Sequence, residues 1–248
     1  MEHALYDEMF SNETRHWWFL GRRKIVLSIL LRYFRSSTDD IASLKVLDVG
    51  CGCGANLAAV SRICDATGIE PSFEGIAYCR KRRLHVTKGA LPEKLSVPKN
   101  YFDAVLLIDV LEHIDDDKAS ICAILDVLKP GGIILVTVPA YQWLYTGRDK
   151  MHHHKRRYNR RQIHEVVASQ GFAREILSYY NFWLFPFALM ERLSKKLFAT
   201  DTPKPDVTVP PALINHIMRL IFQSERFLLQ YVVLPFGLSL IGVYRKPS

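Results

Sequence analysis

Between Lys45 and Asn56 the chain reads Lys-Val-Leu-Asp-Val-Gly-Cys-Gly-Cys-Gly-Ala-Asn, an apolar stretch ending in an acid and three closely spaced glycines. Residues without a Cβ allow a tight turn and let backbone N–H groups approach a ligand, as nucleoside cofactors require. Gly50, Gly52 and Ala55, with Glu70 twenty positions after Gly50, also satisfy a dinucleotide fingerprint in which the acid holds the adenosine ribose. The glycines alone do not separate NAD from another adenosine cofactor. Asp48 does, because it stands two residues before the first glycine, where a dinucleotide would place its doubly anionic pyrophosphate. Like charges about 4 Å apart cost roughly 1 kcal/mol even in water, and more in a cleft. A cofactor with a cationic ammonium and a sulfonium, and no phosphate, turns Asp48 into a favourable partner. That chemistry is S-adenosylmethionine.

A second group of residues suits acid–base work. His152, His153 and His154 precede Lys155-Arg156-Arg157-Tyr158, and histidine is the natural base near neutral pH for an oxygen or nitrogen nucleophile. His154 is the expected catalytic or substrate-orienting residue, with His113 and Tyr158 beside it. Arg156 and Arg157 look like a fork for phosphate or carboxylate on the acceptor, and Trp17, Arg22 and Tyr145 are assigned to acceptor binding with them. Adjacent histidines cannot all face one ion, and no oxygen or sulfur ligand is paired with them in sequence, so no metal is expected. Cys51 and Cys53 read as small filler of the glycine loop.

These groups need a scaffold. Apolar residues at helical spacing, from Trp17 to Tyr33, predict an N-terminal helical segment over 1–43 that packs across the cleft. The core then alternates: strand 45–49, helix from Asn56, strand 66–70, helix from Ser72, strand near 85–88, strand 102–108, helix 118–128, strand 132–138. Such alternation requires an α/β fold with a doubly wound, mainly parallel sheet, whose ligands bind at the carboxyl ends of the strands. An irregular basic loop to Tyr158, a helix over 160–170 and a strand near 175–179 follow. Residues 181–231 are helical and apolar, interrupted at 200–205 and at Pro210-Pro211. They read as a helical cap or dimer interface inserted before a last strand at 238–244. The α/β core is therefore 44–180 with 232–248.

Four stretches also carry a family resemblance. Val46-Leu47-Asp48-Val49-Gly50-Cys51-Gly52-x-Gly54, Gly68-Ile69-Glu70-Pro71, Phe102-Asp103-Ala104-Val105 through Asp109-Val110-Leu111-Glu112-His113-Ile114, and Leu128-Lys129-Pro130-Gly131-Gly132 resemble successive motifs of class I S-adenosylmethionine-dependent methyltransferases, in order and spacing. The resemblance implies a seven-stranded Rossmann-like sheet, with S-adenosylhomocysteine as the product. It places Gly50, Gly52 and Gly54 along the methionine portion, Asp48 towards its ammonium group, and Glu70 on both ribose hydroxyls. Ala90 and Leu91 would line the adenine, through backbone atoms because the acid common there is missing. Ile108 and Asp109 would lie beneath the sulfonium. Glu13-x-x-His16-Trp17-Trp18-Phe19-x-x-Arg22-Arg23 and His154-x-Arg156-Arg157-Tyr158 further resemble bacterial methyltransferases of glycan and lipid biosynthesis. They imply a small, anionic or amphipathic acceptor methylated on oxygen.

Composition bounds the rest. The 248 residues suffice for one α/β core with an insertion. The net charge of +8 is concentrated in the loop from Arg148 to Arg161 and motivates RNA methylation as an alternative. No separate nucleic-acid module is evident, and the insertion is apolar, so no nucleic-acid partner is expected. A non-catalytic S-adenosylmethionine- or NAD-binding protein is the other alternative. Five cysteines, two inside the glycine loop, argue against a disulfide framework. With no leader-like start, they point to the cytoplasm, with surface contact at the inner membrane left open. A monomer or homodimer is expected.

Overall fold

The computed structural model describes residues 3–93, 95–190 and 208–248. Two helices, α1 (His3–Asn12) and α2 (Trp17–Ser37), precede β1 (Lys45–Val49), α3 (Ala55–Val60), β2 (Asp65–Glu70), α4 (Phe73–Lys81) and β3 (Val86–Lys88). Next come β4 (Phe102–Ile108), α5 (Asp117–Val127), β5 (Leu128–Pro139), α6 (Gly147–Met151), α7 (Arg160–Ala168), β6 (Ala173–Tyr180), α8 (Ala212–Leu228) and β7 (Ser239–Arg245).

The strands form one sheet in the order β3-β2-β1-β4-β5-β7-β6. β1 to β5 run parallel, and β7 lies antiparallel between β5 and β6. The central strands are apolar on both faces because helices cover both: Val46, Leu47, Val105, Leu106, Leu107, Ile134 and Leu135 are fully buried. Each such side chain contributes about 1.5–3 kcal/mol of burial free energy. The chain winds outwards from β1 to β3, then restarts at β4 on the other side. The crevice between the carboxyl ends of β1 and β4 is therefore the point where ligands enter such sheets.

Helix starts follow local chemistry. Ser72 accepts from the Glu74 N–H to open α4, and Asn159 with Gln162 forms a reciprocal capping box at α7, each worth about 1 kcal/mol. The loop from 140 to 158 is more ordered than its composition suggests. It contains a short 3-10 turn, Gln142–Leu144, and α6, closed by a capping box of Thr146 and Asp149.

α8 docks on α2. Gly21 permits the close approach, since a Cβ there would meet a Phe222 ring carbon at 2.5 Å. Phe222 is fully buried between Trp17, edge-on at 5.6 Å, and Tyr180, stacked at 6.0 Å. Positions 191–207, with the interruption expected at 200–205, lie outside the described residues. No helix among the described residues is long and apolar enough to cross a membrane.

Candidate active site

Asp48, the penultimate residue of β1, is 2% exposed beneath the glycine turn. Burial pushes its carboxyl up to about 7, against the pull of the Arg22 charge, and its Oδ2 has no hydrogen-bond partner. Gly50, Gly52 and Gly54 all take positive φ, at 72°, 57° and 85°, so a side chain at any of them would be strained. Glu70, at the end of β2, points back across the turn. Its Oε2 accepts from the Gly52 N–H at 2.8 Å, and its Oε1 from the Tyr6 hydroxyl at 2.8 Å and the Ser72 N–H at 3.1 Å. Leu91 is buried and Ala90 half-buried just beyond β3, and Ile108 closes β4. An orphaned buried carboxylate oxygen, a glycine cradle and a carboxylate over it fit S-adenosylmethionine, with cationic methionine on one side and ribose on the other.

α1 covers this cradle. Besides the Tyr6–Glu70 bond, the Met9 methyl carbon lies 2.9 Å from where a Cβ on Gly52 would stand. Glu13, just after α1, accepts from the Ala55 N–H at 3.3 Å and pairs with Arg82 at 2.6 Å. The first N–H of α3 is thus engaged by Glu13, whose own carboxyl burial pushes up to about 7. The Tyr6 hydroxyl occupies one of the Glu70 oxygens expected from the sequence to take the ribose diol, and a hydrogen bond to a charged group contributes about 1.5–3 kcal/mol. Tyr6→Phe is therefore expected to tighten S-adenosylmethionine binding several-fold, read by calorimetric titration. Unchanged or weaker binding would show that Tyr6 does not compete for Glu70.

On the acceptor side, Asp109 follows β4 in a left-handed conformation, φ 55°. Its Oδ1 accepts from the Thr137 hydroxyl at 2.7 Å, and its Oδ2 pairs with Arg22, which also stacks on the Trp18 ring at 4.1 Å. The 3-10 turn Leu111–His113 comes next. The Lys155 N–H donates to the Glu112 carbonyl at 2.7 Å and so ties the basic loop to this turn. As a result the His113 and His154 rings meet edge-on, 4.8 Å between centroids. His154 Nδ1 lies 2.9 Å from Asp149 Oδ1; a carboxylate only accepts, so Nδ1 carries the proton and Nε2 is left free. Burial, then the nearby His154, lowers His113 to about 4 and keeps it neutral. Glu112 is fully buried; burial, then the charge of Asp109, raises its carboxyl well above the usual range.

Several assigned residues are engaged elsewhere. Arg157 is no fork for an acceptor. It is buried, donates from Nε to Asp149 Oδ1 at 2.8 Å and from a terminal nitrogen to Oδ2 at 3.0 Å, and reaches the Ala140 carbonyl. Arg156 pairs with Asp117 at 3.2 Å and donates to the Asp115 carbonyl. Tyr158 is 2% exposed with its hydroxyl on Asp117 at 3.0 Å, which removes it from chemistry. The Tyr145 hydroxyl donates to the His154 carbonyl at 2.6 Å, so it holds the loop instead of an acceptor. Trp17 packs on Phe222, and Arg22 is committed to Asp109.

Sequence reasoning missed Tyr6, Glu13, Glu112 and Asp149. The expectation that no oxygen ligand is paired with the loop histidines also fails, because one Glu112 oxygen lies within 4.8 Å of a ring nitrogen of His113 and of His154. Asp149 alone carried a signal, as the one acid in the basic loop.

Residues 19–177 match the family model described as a methyltransferase domain. A ubiquinone biosynthesis O-methyltransferase of Bradyrhizobium sp. (strain ORS 278) is 32% identical over 116 residues, 43% of this chain and 44% of that protein. The match spans about half the length of the curated relatives. An S-adenosylmethionine-dependent methyltransferase from Archaeoglobus fulgidus shares the fold with a TM-score of 0.57 at 19% identity, covering 90% of this chain and 94% of that one. A phosphoethanolamine N-methyltransferase 2 of Haemonchus contortus, in complex with S-adenosylmethionine, gives 0.56 at 20% identity over 90% of this chain and 52% of that one. With the motif-bearing cleft lying inside the matched residues, the chain belongs to the methyltransferase-domain family of class I S-adenosylmethionine-dependent methyltransferases.

Proposed function

We propose that the chain transfers the methyl group of S-adenosylmethionine to a hydroxyl oxygen of a small, amphipathic acceptor. The observation that carries this reading is the His113–His154 pair at the carboxyl end of β4, beside the cofactor crevice, with His154 oriented by buried Asp149. When bound, the cofactor supplies an electrophilic methyl carbon on a sulfonium. Gly50, Gly52, Gly54, Asp48 and Glu70 hold it, Ala90, Leu91 and Ile108 line it, and Asp109 with Arg22 closes the β4 side.

In-line displacement rewards fixed geometry, and the His154 loop is pinned at Glu112, Asp149 and Tyr145. The free ring nitrogens of His113 and His154 meet the acceptor hydroxyl and favour its ionised form, a contribution of about 10²–10⁴ in rate. Tyr141, Trp143, Phe182, Phe185 and Phe236 cluster at the same sheet edge, with Trp143 57% exposed. They suit an apolar body. The Bradyrhizobium relative is an O-methyltransferase by name, which supports oxygen as the acceptor atom. The anionic part of the expectation loses its residues, since Arg156 and Arg157 are spent on internal acids.

The test is to incubate the protein with S-adenosylmethionine and a panel of phenols and catechols bearing alkyl tails. The expected product is heavier by one methyl group, with equimolar S-adenosylhomocysteine. His154→Gln is expected to lower kcat by about 10²–10⁴ while the cofactor KM stays within about twofold. Methylation of RNA with steep loss in salt, and of no small acceptor, would overturn the reading.

A further inference from the structure

Glu112 stands where a carboxyl group must either keep its proton or meet a cation, although Arg22 and Arg157 add positive charge nearby. It is fully buried, and neither of its oxygens has a hydrogen-bond partner among the described residues. An unpaired buried carboxylate costs several kcal/mol unless it is neutralised or coordinates a cation. One of its oxygens and one ring nitrogen from each of His113 and His154 lie within 4.8 Å of one another.

Both histidines are already held as ligands would be. Metal-binding histidines donate their second ring N–H to a carboxylate or a backbone carbonyl, which fixes the tautomer and aims the other nitrogen. His154 gives Nδ1–H to Asp149, and His113 is hydrogen-bonded to the His153 backbone. His153 itself adopts a left-handed φ of 57°, and its N–H donates to the Lys150 carbonyl, so the loop presents His154 in one orientation. Two histidines and one carboxylate form a three-ligand set of the kind found at catalytic zinc sites, which keep a position open. Zinc takes nitrogen and carboxylate oxygen at about 2.0–2.2 Å, so side-chain rotations of under about 1 Å close the set. The His154 side chain, 18% exposed, borders the open side.

We propose that Glu112, His113 and His154 bind one divalent transition-metal ion. With the ion in place the acceptor hydroxyl would meet the metal instead of the two ring nitrogens, and that use rests on the proposed methyl transfer to oxygen; the ion's binding does not. Asp109 adds negative charge near the site and remains paired with Arg22.

The experiment is calorimetric titration of the chelator-stripped 248-residue chain with Zn²⁺, repeated with Mn²⁺ followed by electron paramagnetic resonance, since affinities across the series favour zinc over manganese. One equivalent is expected to bind. Losing a ligand should weaken binding by at least the roughly 10–100-fold seen for outer-shell changes, so His113→Ala and His154→Ala are each expected to lose tenfold or more, and the double variant all of it. His216→Ala, on the exposed face of α8, is expected to bind as the parent does. Glu112→Gln is a further probe, and the histidine variants keep the test decisive if it fails to fold. No binding of either ion up to millimolar concentration, or equal binding by parent and histidine variants, would overturn the proposal. Binding without methylation of any hydroxyl acceptor would uphold the metal site and sink the acceptor chemistry. Full methyl transfer by stripped protein that takes up no ion would do the reverse.

Discussion

Glu70→Ala is expected to weaken S-adenosylmethionine binding by about two orders of magnitude. Both ribose hydroxyls would donate to one carboxylate, and a hydrogen bond to a charged group contributes about 1.5–3 kcal/mol. With 1.4 kcal/mol per tenfold, two such bonds give a loss of about 10²–10³. The engagement of Oε1 by the Tyr6 hydroxyl and of Oε2 by the Gly52 N–H brings the expectation to the lower end, because these bonds are surrendered or shared when ribose enters. Glu70→Gln keeps one acceptor oxygen and is expected to lose only about tenfold. Equilibrium titration with S-adenosylmethionine reads both. Unchanged affinity in Glu70→Ala, with the melting temperature preserved, would remove the ribose contact from the account.

Arg157→Ala is expected to be the most destabilising change in the acceptor loop. The side chain is buried and spans both oxygens of Asp149, itself 1% exposed. Truncating it leaves a buried carboxylate facing only His154 and the Thr146 cap. Breaking a buried pair in this way costs about 3–5 kcal/mol, which for a domain of this size lowers Tm by roughly 6–20 °C. Burial raises the Asp149 carboxyl, but the hydrogen bond from His154 and the charge and hydrogen bonds of Arg157 outweigh it and hold it well below the usual carboxylate range. A depressed carboxyl stabilises the fold above the unfolded pKa and loses that contribution on acidification. The gap between parent and Arg157→Ala is thus full at neutral pH and narrows as pH falls below about 4. Replacing both Asp149 and Arg157 by apolar residues is expected to cost less than Arg157→Ala alone. Thermal melts across pH measure this, and an Arg157→Ala melt equal to the parent's would mean that the ion pair carries no stability.

The sheet was legible because its strands are continuous apolar runs: Val46 to Val49, Ala104 to Ile108 and Ile133 to Val138 are buried on both faces, and only a strand covered by helices on each side needs that pattern. The glycines were legible for the same local reason, since their turn demands positive φ. What failed was long-range. α1 has a weak apolar face, so nothing near Tyr6 in sequence announces its bond to Glu70, 64 positions away. Arg157 stands three residues from His154, and that closeness suggested a shared acceptor. The competing partner, Asp149, becomes visible only once α6 folds it back with its capping box. Glu112 and His154 meet because a backbone bond joins Lys155 to the turn after β4, a contact that residue spacing does not encode.

The most direct measurement is a crystal structure of the full chain with S-adenosylhomocysteine. The account predicts its ribose hydroxyls on the Glu70 carboxylate, its amino group on the Asp48 side of the glycine turn, and the Tyr6 hydroxyl moved off Oε1. A nucleoside bound elsewhere, or a ligand in the crevice with the Tyr6–Glu70 bond intact, would contradict it.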